Sequence, residues 1–424
     1  MNHGEHGAGE SCCEDSHGDS AMPLQRALAQ VLQAMEPVNG SEILAIRDAL
    51  GRVLGEDVVS PVDVPAHTNS AMDGYALAGS DLPVQGDCSL SVVGTAWAGR
   101  PLQVRVESGQ CARIMTGAVM PAGTDTVVMQ EHVQRLEDSI VIDARHRAGQ
   151  HVRPAGEDIS AGSVGVRRGT VIHPAQLGVL ASLGVATVPV RRRPRVAFFS
   201  TGDELRGVGQ KLEEGQIYDS NRYTLFGVLT RLGMQVIDLG VVPDEPGVLE
   251  SVLKDASQEA DAIISTGGVS VGEADFVTQV LEQVGQVNFW KVAMKPGRPF
   301  AFGRIGEAWF FGLPGNPVSV MTTFYQLVQP ALLAMTGAEV DDPVIMLSAR
   351  CTHKLKKKAG RREFQRGILQ RDDQGEYTVT GTGQQGAGIL SSMAEANCFI
   401  VLEENQGTLE SGCMVMVQPF RGLV

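Results

Sequence analysis

Apolar and polar positions follow three different rhythms along this chain. Near the start, Leu24, Ala27, Leu28, Val31, Leu32 and Met35 recur at helical spacing and predict a helix with one apolar face, the ordered chain beginning near Met22. A second short helix is expected from Ser41 towards Leu54. From Val62 to Val152 the apolar runs are short and broken by Gly and Pro, as in SLSVVG, RIMTG and DTVVMQ, which predicts a β-rich region. A Gly-rich segment, 153–192, returns from it and ends at Arg191, Arg192, Arg193 and Pro194, which reads better as an exposed linker than as a phosphate contact.

From Arg195 the rhythm changes to strands alternating with helices. RVAFFS, QVIDLGVV, DAIIST, NFWKVAM and AWFFG have the apolar density of strands buried in a sheet. Between them, Leu225, Val228, Leu229 and Leu232 form one helical face, capped at Ser220 or Asn221, and Val248, Leu249, Val252, Leu253 and Ala256 form another. A helix around Phe276–Val284 and a long helix after Pro317 complete the series. This alternation predicts a doubly wound, largely parallel α/β sheet with helices on both faces. Beyond Pro343 short strands return (VIMLSA, EFQRGIL, EYTVTG, CFIVLEE, MVMVQPF) and predict a C-terminal β-barrel.

Length and charge narrow the picture. The 424 residues suit about three domains, and 43% hydrophobic content is enough for packed cores. A net charge of −14 argues against a general binder of nucleic acid or anionic membrane, so an anionic ligand would need local cations or a metal. The 7 cysteines are irregularly spaced and include no C-x-x-C, which disfavours a zinc finger or a disulfide framework and fits a reducing compartment, the cytoplasm. No apolar run approaches the roughly 18 residues of a membrane span, and no signal peptide is evident. Residues 1–20 are polar and are expected to be a disordered tail, where His3, His6, Cys12, Cys13 and His17 offer adventitious metal affinity at most.

In α/β sheets ligands bind at loops beyond the carboxyl ends of the strands, and the informative loops of this chain fall there. In STGDEL, Asp203 and Glu204 are placed to hold a metal or act as bases, although the same acids suit a helix start. In STGGVSVGEAD, Gly267, Gly268 and Gly272 let backbone N–H groups approach a phosphate, Ser270 adds a donor, and Glu273 and Asp275 lie beside the anion. It is not a Walker loop, because no Gly-Lys-Ser/Thr follows. KVAMKPGRP supplies cations: in a continuous strand Lys291 and Lys295 share one face, and Arg298 follows a Pro-Gly bend. LPGNP is rigid, with Asn316 as a helix cap and Pro317 at the first helical position. GTGQQG at 381–386 has dinucleotide spacing, but too little chain follows for that fold.

NSAMDGYA, RIMTGAVMP, GEDI, STGDEL, GQIYDSN, ISTGGVSVGEAD, KVAMKPGRPFAFG and GLPGNPVS, taken in order from Met22 to Phe420, resemble the molybdopterin molybdenumtransferase family, the MoeA type also found as the E domain of gephyrin. The resemblance implies a multi-domain α/β architecture: an elongated linking domain from 21–61 and 153–192, an inserted β-rich domain at 62–152, a MogA-like α/β domain for substrate and metal at 193–342, and the barrel at 343–424. It implies insertion of molybdate into adenylylated molybdopterin, with Mg²⁺ assisting and AMP released, in a homodimer whose cleft draws on both subunits. The molybdopterin adenylyltransferase and downstream molybdoenzyme maturation factors are implied as further partners.

By the same resemblance, Glu204, Asp244 and Asp275 hold metal and activate water. Lys291, Lys295 and Arg298 hold molybdate or phosphate, Pro314 and Pro317 shape the pocket, and Arg366 reaches the pterin side. Asp73, Thr116 and Asp158 complete the cleft from the second subunit. Ala387 stands where the family often has Ser. A molybdopterin adenylyltransferase, a gephyrin-like non-catalytic scaffold and a tungstate-selective enzyme remain as alternatives.

Overall fold

The computed structural model describes residues 21–268, 276–339 and 344–420, so the tail at 1–20 lies outside it. The chain forms two compact units: Met1–Asn39 with Arg192–Val424, and Gly40–Arg191.

The first unit is built around a six-stranded sheet ordered Gln235–Val242, Arg195–Thr201, Ala262–Thr266, Ala308–Leu313, Pro299–Ile305 and Gly285–Lys291. The first four strands are parallel and the last two join antiparallel. Period-two alternation sends Val196 and Phe198 to one face and Ala197 and Phe199 to the other, and each pair enters a different buried cluster. Leu225 and Leu229 of helix Ser220–Arg231 cover the first face. Leu249 and Leu253 of helix Pro246–Glu259 cover the second. Helix Leu24–Ala34 buries Leu24, Ala27 and Val31 in the first cluster beside Val328 and Leu332, although the sequence places it with the linking segment.

Pro317–Thr336 is a helical run of 20 residues with mean hydropathy 1.2, apolar and long enough to span a membrane by those criteria. Of its 18-residue apolar window 72% is buried inside the fold, as a core helix should be. Its middle, Phe324–Val328, is π-helical immediately before Pro330, whose missing N–H and ring interrupt regular α-helical bonding.

The C-terminal strands close into a five-stranded barrel. Arg362–Arg371 pairs with Tyr377–Gly381, which pairs with Leu347–Cys351, then Met414–Pro419, then Cys398–Leu402, which returns to Arg362–Arg371. Ala349, Val379, Ile400, Val415 and Val417 fill its interior.

The second unit contains a six-stranded sheet formed by Gly74–Leu77, Asp87–Ala96, Gln110–Ile114, Thr126–Met129, Gln134–Arg135 and Ser139–Asp143. A smaller core of Leu54, Ile172, Leu180, Val188 and Val190 packs beside helix Pro174–Ser182. The helix expected from Ser41 is instead the strand Ser41–Ala45, followed by a 3-10 turn at Ile46–Ala49. The strand pairs antiparallel with Thr187–Arg191, a partner so distant in sequence that local periodicity could not announce it.

Candidate active site

The parallel strands of the first unit end on one edge, and the loops that follow them carry most of the predicted site. Glu204 lies exposed in the turn after Arg195–Thr201. Its carboxylate folds over Gly202, where a Cβ would come within 2.6 Å of Oε2. Asp244 follows the neighbouring strand Gln235–Val242, and the Thr201 hydroxyl donates to its Oδ1. Gly267 follows Ala262–Thr266 with φ +89°, and a Cβ there would meet the Thr201 carbonyl oxygen at 2.5 Å. The close approach of these two strand ends therefore requires glycine. Gly268 has φ +66°. Ser270, Gly272, Glu273 and Asp275, from the same loop, lie outside the described residues.

Beyond these strand ends, and facing the barrel, is a cleft of about 1060 Å³. Gly267, Gly268, Pro314, Gly315 and Asn316 line it from the sheet. Lys295 and Arg298 line it from the following loop, and His353, Lys354, Lys356, Arg361, Glu363 and Gln385 from the barrel. Among the described residues, five Lys or Arg side chains thus line the cleft with one acid, in a chain of net charge −14. The local field is opposite to the background and suits a multiply charged anion. The acid, Glu363, is 5% exposed, and its Oε1 accepts from Lys295 Nζ at 3.3 Å and from Gln365 Nε2 at 3.0 Å.

Three expectations change. Lys291 and Lys295 do not share a strand face. The sheet strand ends at Lys291, and Met294–Lys295 pairs with Arg362–Glu363 of the barrel instead. The turn between them is held by the Val292 N–H donating to Arg298 O at 2.7 Å. Lys295 and Arg298 line the cleft, whereas Lys291 is not among its lining residues.

Arg366 does not reach outward to a ligand. It is 1% exposed, donating from Nε to Ser392 Oγ and from a terminal nitrogen to the Gly386 carbonyl, each at 3.0 Å. Burial lowers its pKa, with Glu363 opposing. It is a strut that positions the Gly383–Ala387 loop.

Pro314 lines the cleft, while Pro317 opens helix Pro317–Thr323 behind it. Asn316 occupies the cap position without a side-chain cap bond. The Val318 N–H is satisfied by the Ala387 carbonyl at 3.0 Å.

Lys354, Lys356 and Arg361 were not anticipated as part of the site. Their signal was present, since a cationic cluster between two predicted strands is a charge block on a loop. The GTGQQG segment carries no dinucleotide fold. It forms a cleft wall on which the Gln385 amide accepts from Arg366 N at 2.8 Å and donates to Arg366 O at 3.1 Å, imitating a strand partner.

In the second unit, Asp73 and Thr116 meet. Asp73 Oδ1 accepts from Thr116 N at 2.7 Å and from Thr116 Oγ1 at 2.8 Å. The backbone bond, then the hydroxyl, then the charge of Arg113 hold the Asp73 pKa below its ordinary 3.8. Asp158 lies exposed on another turn, its N–H donating to Val64 O at 3.0 Å.

Three family models match this chain in series: the MoeA N-terminal region (domain I and II) over 22–184, a probable molybdopterin binding domain over 197–334, and the MoeA C-terminal region (domain IV) over 348–420. The chain is 46% identical to a molybdopterin molybdenumtransferase of Haemophilus influenzae, across 95% of this chain and 100% of that one. It belongs to the molybdopterin molybdenumtransferase family. A second relative so named, from a Nostoc species, is 36% identical over 95% of this chain and 94% of its own. The molybdopterin biosynthesis moeA protein from Pyrococcus horikoshii superposes with TM-score 0.81 at 29% identity, covering 94% of this chain and all of that one. This family member therefore shares the MoeA architecture.

Carboxylates such as Glu204 and Asp244 are hard oxygen donors of the kind Mg²⁺ prefers. Among the described residues no three His, Cys, Asp or Glu side chains are grouped to hold a metal. The third predicted ligand, Asp275, is outside those residues.

Proposed function

We propose that this protein inserts molybdate into adenylylated molybdopterin in molybdenum cofactor biosynthesis, releasing AMP. The observation that carries the reading is the cation-lined cleft at the carboxyl edge of the sheet, in a chain with full-length likeness to molybdopterin molybdenumtransferases. Lys295, Arg298 and Arg361 attract and orient the tetrahedral dianion and the phosphates by charge and hydrogen bonding. The glycines at 267–268 bring backbone close to the anion, and Pro314 stiffens the adjoining loop on the same side of the cleft. Glu204, Asp244 and Asp275 would hold Mg²⁺, which when bound polarises a phosphoryl oxygen. The same acids orient the water that cleaves the phosphoanhydride.

Asp73, Thr116 and Asp158 complete the cleft from the second subunit of a homodimer, a part of the reading supported by the family resemblance alone. The same resemblance supports work in the cytoplasm beside the adenylyltransferase and the maturation factors.

The test mixes purified protein with adenylylated molybdopterin, Mg²⁺ and molybdate, and measures both AMP and pterin-bound molybdenum. The two products should appear together, and Asp244→Ala should lose both. If folded protein with intact substrate yields neither, insertion is wrong and the scaffold alternative takes its place. ATP consumption without molybdate would favour the adenylyltransferase.

A further inference from the structure

The segment GQIYDSN at 215–221 carries two buried polar side chains that the proposed reaction does not use. Asp219 is 2% exposed and Asn221 is 8% exposed. Asp219 Oδ1 caps helix Ser220–Arg231 by accepting from Arg222 N at 3.0 Å. Asn221, the helix's second residue, donates from Nδ2 to the carbonyl oxygen of Gly315 at 2.8 Å, across 94 residues of sequence. Gly315 and Asn316 line the cleft, but Asn221 does not. Asn221 therefore grips the wall of the site from behind.

That grip has a directional consequence. In a planar trans peptide the C=O and the following N–H point in opposite directions. Holding the Gly315 oxygen back towards Asn221 turns the Asn316 N–H to the other side of the peptide, away from Asn221. The alternative orientation would present a carbonyl oxygen, which repels an anion. Glycine at 315 makes such a rotation cheap, because it lacks the Cβ that would restrict it. The same segment is tied to the acidic loop, with Ile217 N donating to Glu204 O at 2.9 Å and Asp219 N to Arg206 O at 3.1 Å. One hydrogen-bonded strap thus joins the Glu204 loop to the Pro314–Pro317 loop.

We propose that Asn221 is a positioning residue for anion binding: its hydrogen bond to Gly315 fixes the 315–316 peptide so that the Asn316 N–H is offered to a tetrahedral oxyanion in the cleft. This rests on the proposed anion-binding role of the cleft, but not on the chemistry of molybdenum insertion.

The test uses the full-length protein with molybdate alone, and orthophosphate as a second probe. Calorimetry gives the affinity, and selective ¹⁵N-asparagine labelling follows the Asn316 amide. In the natural protein the Asn316 signal should shift as molybdate is added. Asn221→Ala should bind molybdate about tenfold more weakly, lose most of that shift and keep a thermal midpoint within a few degrees. Asn221→Ser, a milder change at a helix start, should do the same, because its hydroxyl is too short to reach Gly315. If AMP release is absent but the Asn221-dependent shift is present, the inference stands and the insertion reading falls. Unchanged affinity in a folded variant, an Asn316 amide indifferent to molybdate, or a natural protein that binds neither anion would each overturn it.

Discussion

Each compact unit holds an aspartate gripped by a threonine, and the two grips differ. In the second unit Asp73 Oδ1 takes both the N–H and the hydroxyl of Thr116. In the first unit Asp244 Oδ1 takes only the hydroxyl of Thr201, and among the described residues it has no other hydrogen-bond donor. A carboxylate offers about four lone-pair positions, so a double grip on one oxygen anchors the group and stabilises its charge, while a single grip orients it and leaves more capacity free. Asp73 is thus built as a fixed anion. Asp244 sits at the carboxyl end of a parallel strand, where ligands bind, and is built to accept something further.

The largest effect should come from removing the less occupied carboxylate. Asp244→Ala should lower AMP release by more than about a hundredfold, because groups that merely orient metal ligands already cost roughly ten- to a hundredfold when lost. An Mg²⁺ titration of the variant checks the cause: activity should stay low at all concentrations or recover only at very high ones. Near-natural activity would remove Asp244 from the metal site. Thr201→Val keeps the volume and deletes the hydroxyl. It should weaken the apparent Mg²⁺ affinity by roughly tenfold while the maximal rate changes less. If Thr201→Val is as damaging as Asp244→Ala, the hydroxyl does more than orient.

The contrast between the grips was only partly legible in the sequence. Buried strands followed by Gly-rich, acidic loops are local patterns, and Glu204, Gly267, Gly268 and Pro314 do lie in the loops that follow sheet strands. Features set by distant pairing were harder. Ser41–Ala45 became a strand because Thr187–Arg191 lies beside it. Lys291 and Lys295 parted because the chain leaves one sheet and joins the barrel within four residues. Arg366 belongs to a motif that suggests ligand contact, yet its position on an inward-facing strand buries it. Lys354, Lys356 and Arg361 are plain as charges, but only the barrel's closure shows that they share a cleft with Lys295 and Arg298. Thr201 gave no signal at all, because its partnership with Asp244 depends on two parallel strands ending side by side.

Acid titration sharpens the comparison from the side of Asp73. Its folded pKa lies below 3.8, so the stability it contributes is present above its unfolded value and is lost as pH falls through the folded one. Thr116→Val deletes the hydroxyl bond and keeps the backbone bond, so the folded pKa should rise part of the way back. The stability gap between natural protein and variant should be full above about pH 4 and close below it. A carboxyl-carbon NMR titration of Asp73 gives the shift directly. Thr116→Ser should restore the low value, and equal titration midpoints in all three proteins would show that the hydroxyl does not hold the charge.

The smallest effect belongs to a hydroxyl with no carboxylate to orient. Ala387 lines the cleft, and its carbonyl already accepts from Val318 N. Ala387→Ser would add a donor on the barrel side, among side chains that already supply five positive charges. Long-range charge and several existing donors leave little for one neutral hydrogen bond, which typically contributes about 1 kcal/mol. Molybdate affinity should therefore change by less than about tenfold, equivalent to ~1.4 kcal/mol, when measured by calorimetry at fixed salt. A larger gain would mean that a neutral donor outweighs the surrounding charge in selecting the oxyanion. The lesson of Asp73 and Asp244, that a hydroxyl acts chiefly through the carboxylate it holds, would then not extend to the cleft as a whole.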